Sequence, residues 1–170
     1  MCIRDSGDTQ GFLRSRLGSQ PGEIVDGSGA VLGQHDGAYA FTVGQRKGLS
    51  IGRPAPDGKP RYVLSVEPVN NRVVVGSVDE LAVQAVEADR AVWFADTDGT
   101  FACSLQVRAH GSAVPARATV RDGNVEIVLD SSGDLRGVAP GQSAVLYDGT
   151  RVLGQATVTA AQRATAGVVR

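Results

Sequence analysis

Apolar and polar residues alternate over short runs along most of the chain, a pattern typical of strands with one buried face. The second half of the sequence contains six such runs, AVEADRAVWF, FACSLQVRA, ARATVR, NVEIVL, SAVLYD and RVLGQATV. The dipeptides Asp98-Gly99, Asp122-Gly123 and Asp148-Gly149 stand between runs and suit the positive φ angles of tight turns. Six short strands with no helical run between them predict a small antiparallel β-barrel.

The first half of the sequence predicts a smaller β-rich unit with one helix. Residues 9–17, TQGFLRSRL, carry apolar side chains at helical spacing, and Gly18 ends the run. GEIVD and AVLGQHD predict a hairpin across residues 26–29, and RYVLSVE and NRVVVG predict a second hairpin across Asn70-Asn71. AYAFTV is predicted to be a strand that leads into a basic loop rich in glycine, and residues 53–60 should form an exposed, proline-containing loop.

The strand pattern is interrupted at Asp79-Glu80, which indicates a domain boundary there. The expected fold class is mainly β: a small β-rich central domain over residues 7–78 with one short N-terminal helix, an antiparallel β-barrel over residues 79–158, and a tail over residues 159–170. The first six residues, MCIRDS, resemble a translated sequencing-library adapter, so native sequence is expected to begin near Gly7. A genuine short N-terminus is the open alternative.

Composition narrows the possible functions. Seventeen basic residues against 18 acidic residues give a net charge near zero, so any binding of nucleic acid must be local. Two cysteines and two histidines are too few and too scattered for a disulfide framework or a structural zinc site, and no metal is expected. Neither an apolar run of membrane-spanning length nor an export signal is present in the sequence, which predicts a cytoplasmic protein with no membrane contact.

The run Gly44-Gln45-Arg46-Lys47-Gly48 is the first candidate binding segment. Two glycines let the backbone turn closely while Gln45, Arg46 and Lys47 project hydrogen-bond donors, which suits a phosphate or a ribose oxygen. A solvated basic loop is the open alternative.

Two further candidates lie in the predicted barrel. Strand alternation in LQVRA places Arg108 on the face opposite the core, and Gln142 follows a Pro-Gly turn at the mouth of a strand. A solvated arginine and a plain β-turn are the alternatives for these two residues. His35 and His110 are expected at the surface, and Cys103 is expected to be a small buried hydrophobe without a catalytic role.

Five segments resemble, in order and spacing, the tRNA-specific 2-thiouridylase family from about Gly7 to the end of the predicted barrel. They are PGEIVD, GAVLGQHDGAYAFTVGQRKGL, RYVLSVEPVNNRVVVG, LQVRAHG and APGQSAVLYDGTRVLG. The resemblance implies an enzyme that uses ATP to adenylate the C2 oxygen of the wobble uridine and then replaces this oxygen with sulfur from an enzyme persulfide. The family's S-G-G-x-D-S loop and nucleophilic cysteine are not in this sequence. ATP is therefore expected to bind outside it, no cofactor is expected within it, and this chain alone is expected not to thiolate tRNA.

The resemblance also implies roles for single residues. Counting back from the GDTQ segment, Cys2 falls at the family's persulfide position, although IRDS after it departs from the family's apolar continuation. Arg108 and Gln142 match positions of tRNA contact, whereas Ala109 stands where the family often has an aromatic residue, so no stacking is expected there. The implied partners are tRNA and a persulfide-donating sulfur carrier protein, and the protein is expected to be a monomer. The alternatives are a stand-alone, non-catalytic RNA-binding β-barrel of the translation-factor type and a purely structural interaction protein.

Overall fold

The computed structural model describes residues 9–52, 57–131 and 135–163. The chain divides into two compact units, Met1–Ser77 and Val78–Arg170. Cys2, the adapter-like segment and part of the predicted loop over residues 53–60 lie outside the described residues. Neither the described helix nor the short 3-10 turns are long and apolar enough to cross a membrane.

The first unit is a four-stranded sheet with one helix. Its elements are α1 (Thr9–Leu17), β1 (Gly22–Val25), β2 (Val31–His35), a 3-10 turn (Ala38–Ala40), β3 (Tyr62–Glu67) and β4 (Arg72–Gly76). The strand order is β2-β1-β4-β3; the two predicted hairpins are antiparallel and are joined through the parallel pair β1 and β4. The buried residues that form its core are Ile24, Ala38, Leu49, Val63, Val73 and Val75. The predicted helix and both predicted hairpins are confirmed.

The predicted strand over AYAFTV is wrong, because this segment starts as the 3-10 turn and continues without strand pairing. A side chain from the second hairpin accounts for the difference. The Ala38 backbone N–H donates to Asn71 Oδ1 at 3.2 Å, and Ala38 itself is buried in the core. This hydrogen bond satisfies the Ala38 N–H, so Ala38 needs no strand partner for it.

The second unit is a closed barrel of six antiparallel strands, as the alternation predicts. After a 3-10 turn (Asp79–Leu81) come β5 (Val83–Trp93), β6 (Thr100–Gln106), β7 (Val114–Arg121), β8 (Asn124–Leu129), β9 (Ser143–Asp148) and β10 (Arg151–Arg163). The strands close in the order β10-β5-β8-β7-β6-β9, so each strand has two hydrogen-bonded neighbours and no open edge remains among them. The barrel interior is filled by one apolar cluster.

The turns between strands use the predicted residues. Asp122 and Gly123 both have positive φ, 50° and 80°, and join β7 to β8. Gly99 and Gly149 have positive φ in the turns before β6 and β10. The last strand continues to Arg163, where it pairs with Val83, so residues 159–163, expected in the tail, belong to β10.

Candidate nucleic-acid interface

The basic turn of the first unit is anchored to the sheet at both ends. Gly44 and Gly48 adopt φ of 87° and 75°, which glycine tolerates best. The Gly44 N–H donates to the Val63 carbonyl at 2.8 Å, and the Val63 N–H donates back to the Gln45 carbonyl at 2.9 Å. Leu49 is buried in the core directly after the turn. The backbone of the turn is therefore held in place against β3.

Within this turn, the Gln45 side chain stabilises the loop itself. The Thr42 N–H donates to Gln45 Oε1 at 3.1 Å, and Gln45 Nε2 donates to the Lys47 carbonyl at 2.9 Å. Arg46 and Lys47 are exposed, and no carboxylate of the described residues pairs with either of them. Arg46 and Lys47 thus present the free charge of the turn, while the Gln45 amide is already engaged.

A cavity of ≈ 560 Å³ lies beside this turn within the first unit. Gly48 and Ser50 form part of its wall, and His35 and Phe41 form another part. At its margin Arg14 pairs with Asp36, with 3.3 Å between guanidinium nitrogen and carboxylate oxygen. Both of these charged side chains are largely exposed, so the pair contributes little to stability.

The expectation that His35 lies at the surface is wrong, because only 8% of this residue is exposed. Its Nδ1 accepts a hydrogen bond from the Gly37 N–H at 3.0 Å, and its ring packs against Phe41 with 5.2 Å between centroids. Burial lowers the pKa of His35, and the Asn71 backbone and the nearby Asp36 carboxylate offset only part of this effect. The folded unit therefore holds the neutral imidazole.

His35 is expected to make the first unit less stable in mild acid. The folded-state pKa lies below the ordinary value of 6.5, so the unfolded chain binds the proton first. The stabilising contribution of His35 is present above pH 6.5 and is lost as the pH falls through the folded-state pKa. The native chain and H35Q are compared by urea denaturation between pH 7.5 and pH 5, with hydrogen exchange of the β1 and β4 amides as the measure of unfolding of the first unit. The stability of the first unit should depend less on pH in H35Q than in the native chain. The matched control is H110Q, because His110 is exposed. If the stability of the native chain and of H35Q changed in parallel with pH, His35 would not be the cause of the loss of stability in mild acid.

Arg108 lies in a braced turn that follows β6 in the barrel unit. The Gly111 N–H donates to the Arg108 carbonyl at 3.0 Å, and Gln106 Nε2 donates to the Gly111 carbonyl at 2.7 Å. Tyr147 Oη in turn donates to Gln106 Oε1 at 2.9 Å. The Arg108 side chain is exposed, as expected, but it is not free in solvent, because one guanidinium nitrogen donates to the Gly137 carbonyl at 2.8 Å.

Gln142 closes the turn that leads into β9. The Gly141 N–H and the Gln142 carbonyl both bond to Val158 of β10, each at 2.8 Å. Gln142 Oε1 accepts from the Ala139 N–H at 3.0 Å. The Gln142 side chain is half-buried, and among the described residues no acceptor lies within hydrogen-bonding distance of Nε2. Nε2 is the group left to donate to a ligand.

The structure brings Arg108 and Gln142 to one loop of the barrel. Arg108 bonds to Gly137 and Gln142 bonds to Ala139, and both acceptor and donor belong to the segment between β8 and β9. Gln45, Arg46 and Lys47 belong to the first unit. Cys2, the remaining candidate, lies outside the described residues.

Arg136, which no motif in the sequence singled out, shares a cleft with Arg108 in the barrel unit. Its position just before the Gly-Val-Ala-Pro-Gly-Gln run was the available signal, because this run already contained the Gln142 turn. Cys103 is half-buried, and burial raises the pKa of its thiol to about 11, so the reactive thiolate is disfavoured at neutral pH. No cluster of His, Cys, Asp and Glu suited to a metal ion occurs within the described ranges.

Comparison with known proteins identifies both units. Residues 10–77 match the family model described as tRNA methyl transferase PRC-barrel domain, and residues 83–158 match the model described as Aminomethyltransferase beta-barrel domain. Proteins named tRNA-specific 2-thiouridylase MnmA are similar along nearly the whole chain. The one from Acidothermus cellulolyticus is 52% identical over 98% of this chain and 46% of its own length. Those from Beutenbergia cavernae and Streptomyces coelicolor are 55% and 53% identical over 96% and 98% of this chain, and each is covered over 44% of its own length.

This chain thus spans less than half the length of the relatives that it matches. The match runs through both units, including the basic turn, Arg108 and the Gln142 turn. The resemblance stated from the sequence is confirmed: this chain belongs to the tRNA-specific 2-thiouridylase family.

Proposed function

We propose that this chain is the tRNA-holding, C-terminal part of an enzyme that transfers persulfide sulfur to C2 of the wobble uridine. The observation that carries the proposal is that Arg108 and Gln142 are both hydrogen-bonded to the segment between β8 and β9, and each retains donors for a ligand. The relatives support it, since they are named as tRNA-specific 2-thiouridylases at more than half identity.

The proposed chemistry divides between this chain and the remaining length of its relatives. ATP activates the uridine C2 oxygen in that remaining part, and the described residues of this chain supply no step of adenylation. Cys2 would hold the sulfane sulfur delivered by a sulfur carrier protein, and would release it to the activated uridine with formation of a disulfide to a second cysteine. The alignment with the Acidothermus protein covers 98% of the chain, so it includes part of the first six residues.

We place the protein in the cytoplasm as a monomer.

In this proposal the described residues position tRNA without reading its sequence. Arg108 donates one N–H to Gly137, and its other guanidinium N–H groups can reach a phosphate or a sugar oxygen. Gln142 Nε2 adds a neutral donor from the segment between β8 and β9, to which Arg108 is hydrogen-bonded. In the first unit, Arg46 and Lys47 project from a glycine-flanked turn that suits a phosphate. Contacts of this kind fix the register of an RNA and leave base identity to other parts of the enzyme.

Replacing Arg108 with alanine tests the proposal. We expect R108A to weaken tRNA binding by roughly 1–3 kcal/mol, because a charged hydrogen bond to RNA is lost. Filter binding of unmodified tRNA at several salt concentrations measures both the affinity and its salt dependence, and affinity of the native chain should fall as salt rises.

The matched control for R108A is R117A, because Arg117 is exposed on β7 and does not line the Arg108 cleft. Equal affinities of the native chain, R108A and R117A would assign Arg108 to the solvated surface and reject the proposed contact. The alternative of a stand-alone barrel module is not favoured, because the family match continues through the first unit as well as the barrel.

A further inference from the structure

A cleft of ≈ 380 Å³ opens beside Arg108 in the barrel unit, and a second arginine lines it. Its walls include Val107, Gly111, Ser112 and Leu135 besides Arg108 and Arg136. No carboxylate contributes to the described lining. We propose that this cleft binds a phosphate group of the tRNA backbone and that Arg136 supplies its second cation. The inference rests on the proposed function and adds to it a site and a residue.

The backbone of Arg136 is held in place on both sides. The Val83 N–H donates to the Leu135 carbonyl at 2.9 Å, and the Gly137 N–H donates to the Leu81 carbonyl at 3.0 Å. Arg136 itself forms a β-bridge with Ala82 between these two bonds. Its side chain is exposed, so a fixed backbone presents a guanidinium group at the surface.

The two arginines are tied to the same short piece of chain. Arg108 donates to the carbonyl of Gly137, which directly follows Arg136. This bond orients the Arg108 guanidinium at the cleft before any ligand arrives. Arg136 has no ion-pair partner among the described carboxylates, whereas Arg90 in the same unit pairs with Asp89. Guanidinium groups without a carboxylate partner are common protein partners of phosphate oxygens.

The lining also indicates which part of an RNA fits. The described lining residues offer two guanidinium groups, glycine and serine backbone, and aliphatic side chains, but no aromatic ring on which a base could stack and no side-chain amide. Recognition of single-stranded bases generally uses such rings and amides. The cleft therefore suits the sugar–phosphate backbone, and its contribution to affinity should be independent of sequence.

Arg136→Gln is the direct test of this site. We expect R136Q to weaken tRNA binding by the 170-residue chain about tenfold and to reduce the slope of log Kd against log salt by about one. R136K retains the charge and should keep the salt slope while losing less affinity. R117Q should match the native chain. Because the Arg136 side chain makes no hydrogen bond to a described residue, R136Q should also keep the native Tm, which separates lost contact from lost folding.

The outcomes distinguish this inference from the proposed function. If R108A weakens binding and R136Q does not, the cleft assignment is overturned and the proposed function stands. If the native chain shows no salt-dependent binding of tRNA, both are overturned. Inorganic phosphate shares the chemistry of the ligand, so it is titrated into the protein while the NMR chemical shifts of the Gly111 and Ser112 amides are followed. Shifts from phosphate that match those from tRNA at equal concentration would assign the cleft to a small free anion instead.

Discussion

Replacing Leu146 with alanine is expected to lower the free energy of unfolding of the barrel unit by about 2–5 kcal/mol. Leu146 is fully buried on β9, and its cross-strand partner Leu105 is fully buried as well. The substitution removes buried methyl and methylene groups and leaves a cavity that a closed ring of strands can fill only in part. Trp93 is the single tryptophan of the chain and lies on β5, so its fluorescence during urea denaturation reports on the barrel.

The control for L146A is V128A, because Val128 is 47% exposed on the outer face of β8. This variant should change stability by no more than about 0.5 kcal/mol. Comparable losses in the two variants would contradict the interior position of Leu146. A loss confined to L146A supports a barrel whose stability comes from its central apolar cluster.

The barrel could be predicted from sequence because its strands and turns are marked by residues that are close together in the chain. In β8, NVEIVL, exposed and buried residues alternate without exception, which is the period of a half-buried strand. The Asp122-Gly123 turn needs positive φ at both positions, and this dipeptide is one of the residue pairs that adopt it most readily. Pattern and turn chemistry agree over β7 and β8, so the existence of these two strands follows from short windows of sequence.

The first unit was harder to predict because its decisive contacts are distant in sequence. AYAFTV contains the aromatic and β-branched residues that are common in strands, but Ala38 bonds to the side chain of Asn71 in the second hairpin. His35 stands in a polar segment, and it is buried beside Phe41 and opposite Gly22, its cross-strand partner on β1. Local propensity was overridden in both cases by tertiary contacts.

The candidate interface was predictable where a turn carries it. Gly44, Gly48 and Gly141 all adopt positive φ, so glycine spacing correctly marked the loops that present Arg46, Lys47 and Gln142. The sequence could not show which donors remain free. The Gln45 amide forms both of its hydrogen bonds within its own turn. Arg136 is positioned at the cleft because the backbone of residues 135–137 pairs with residues 81–83.

Replacing Gly22 with alanine is expected to destabilise the first unit by about 3 kcal/mol, because the added methyl group has no space. A Cβ at this position would overlap the backbone carbonyl oxygen of Asn71 and would lie 2.7 Å from His35 Cε1. Asn71 cannot move aside easily. Its Nδ2 donates to the Gln20 and Pro21 carbonyls, each at 2.6 Å, and its own φ of 46° is fixed by the hairpin turn.

Hydrogen exchange of the amides of β1 and β4 under native conditions measures this loss within the first unit. The control is G52A, since a Cβ at Gly52 meets no atom of the described residues within 4 Å and its backbone needs no positive φ. Protection should collapse in G22A and remain in G52A, and the Trp93 fluorescence transition of the barrel gives a separate reading on the same samples. Native protection in G22A would mean that β1 and Asn71 can separate at little cost. That result would remove the packing reason for glycine at the point where the two hairpins meet.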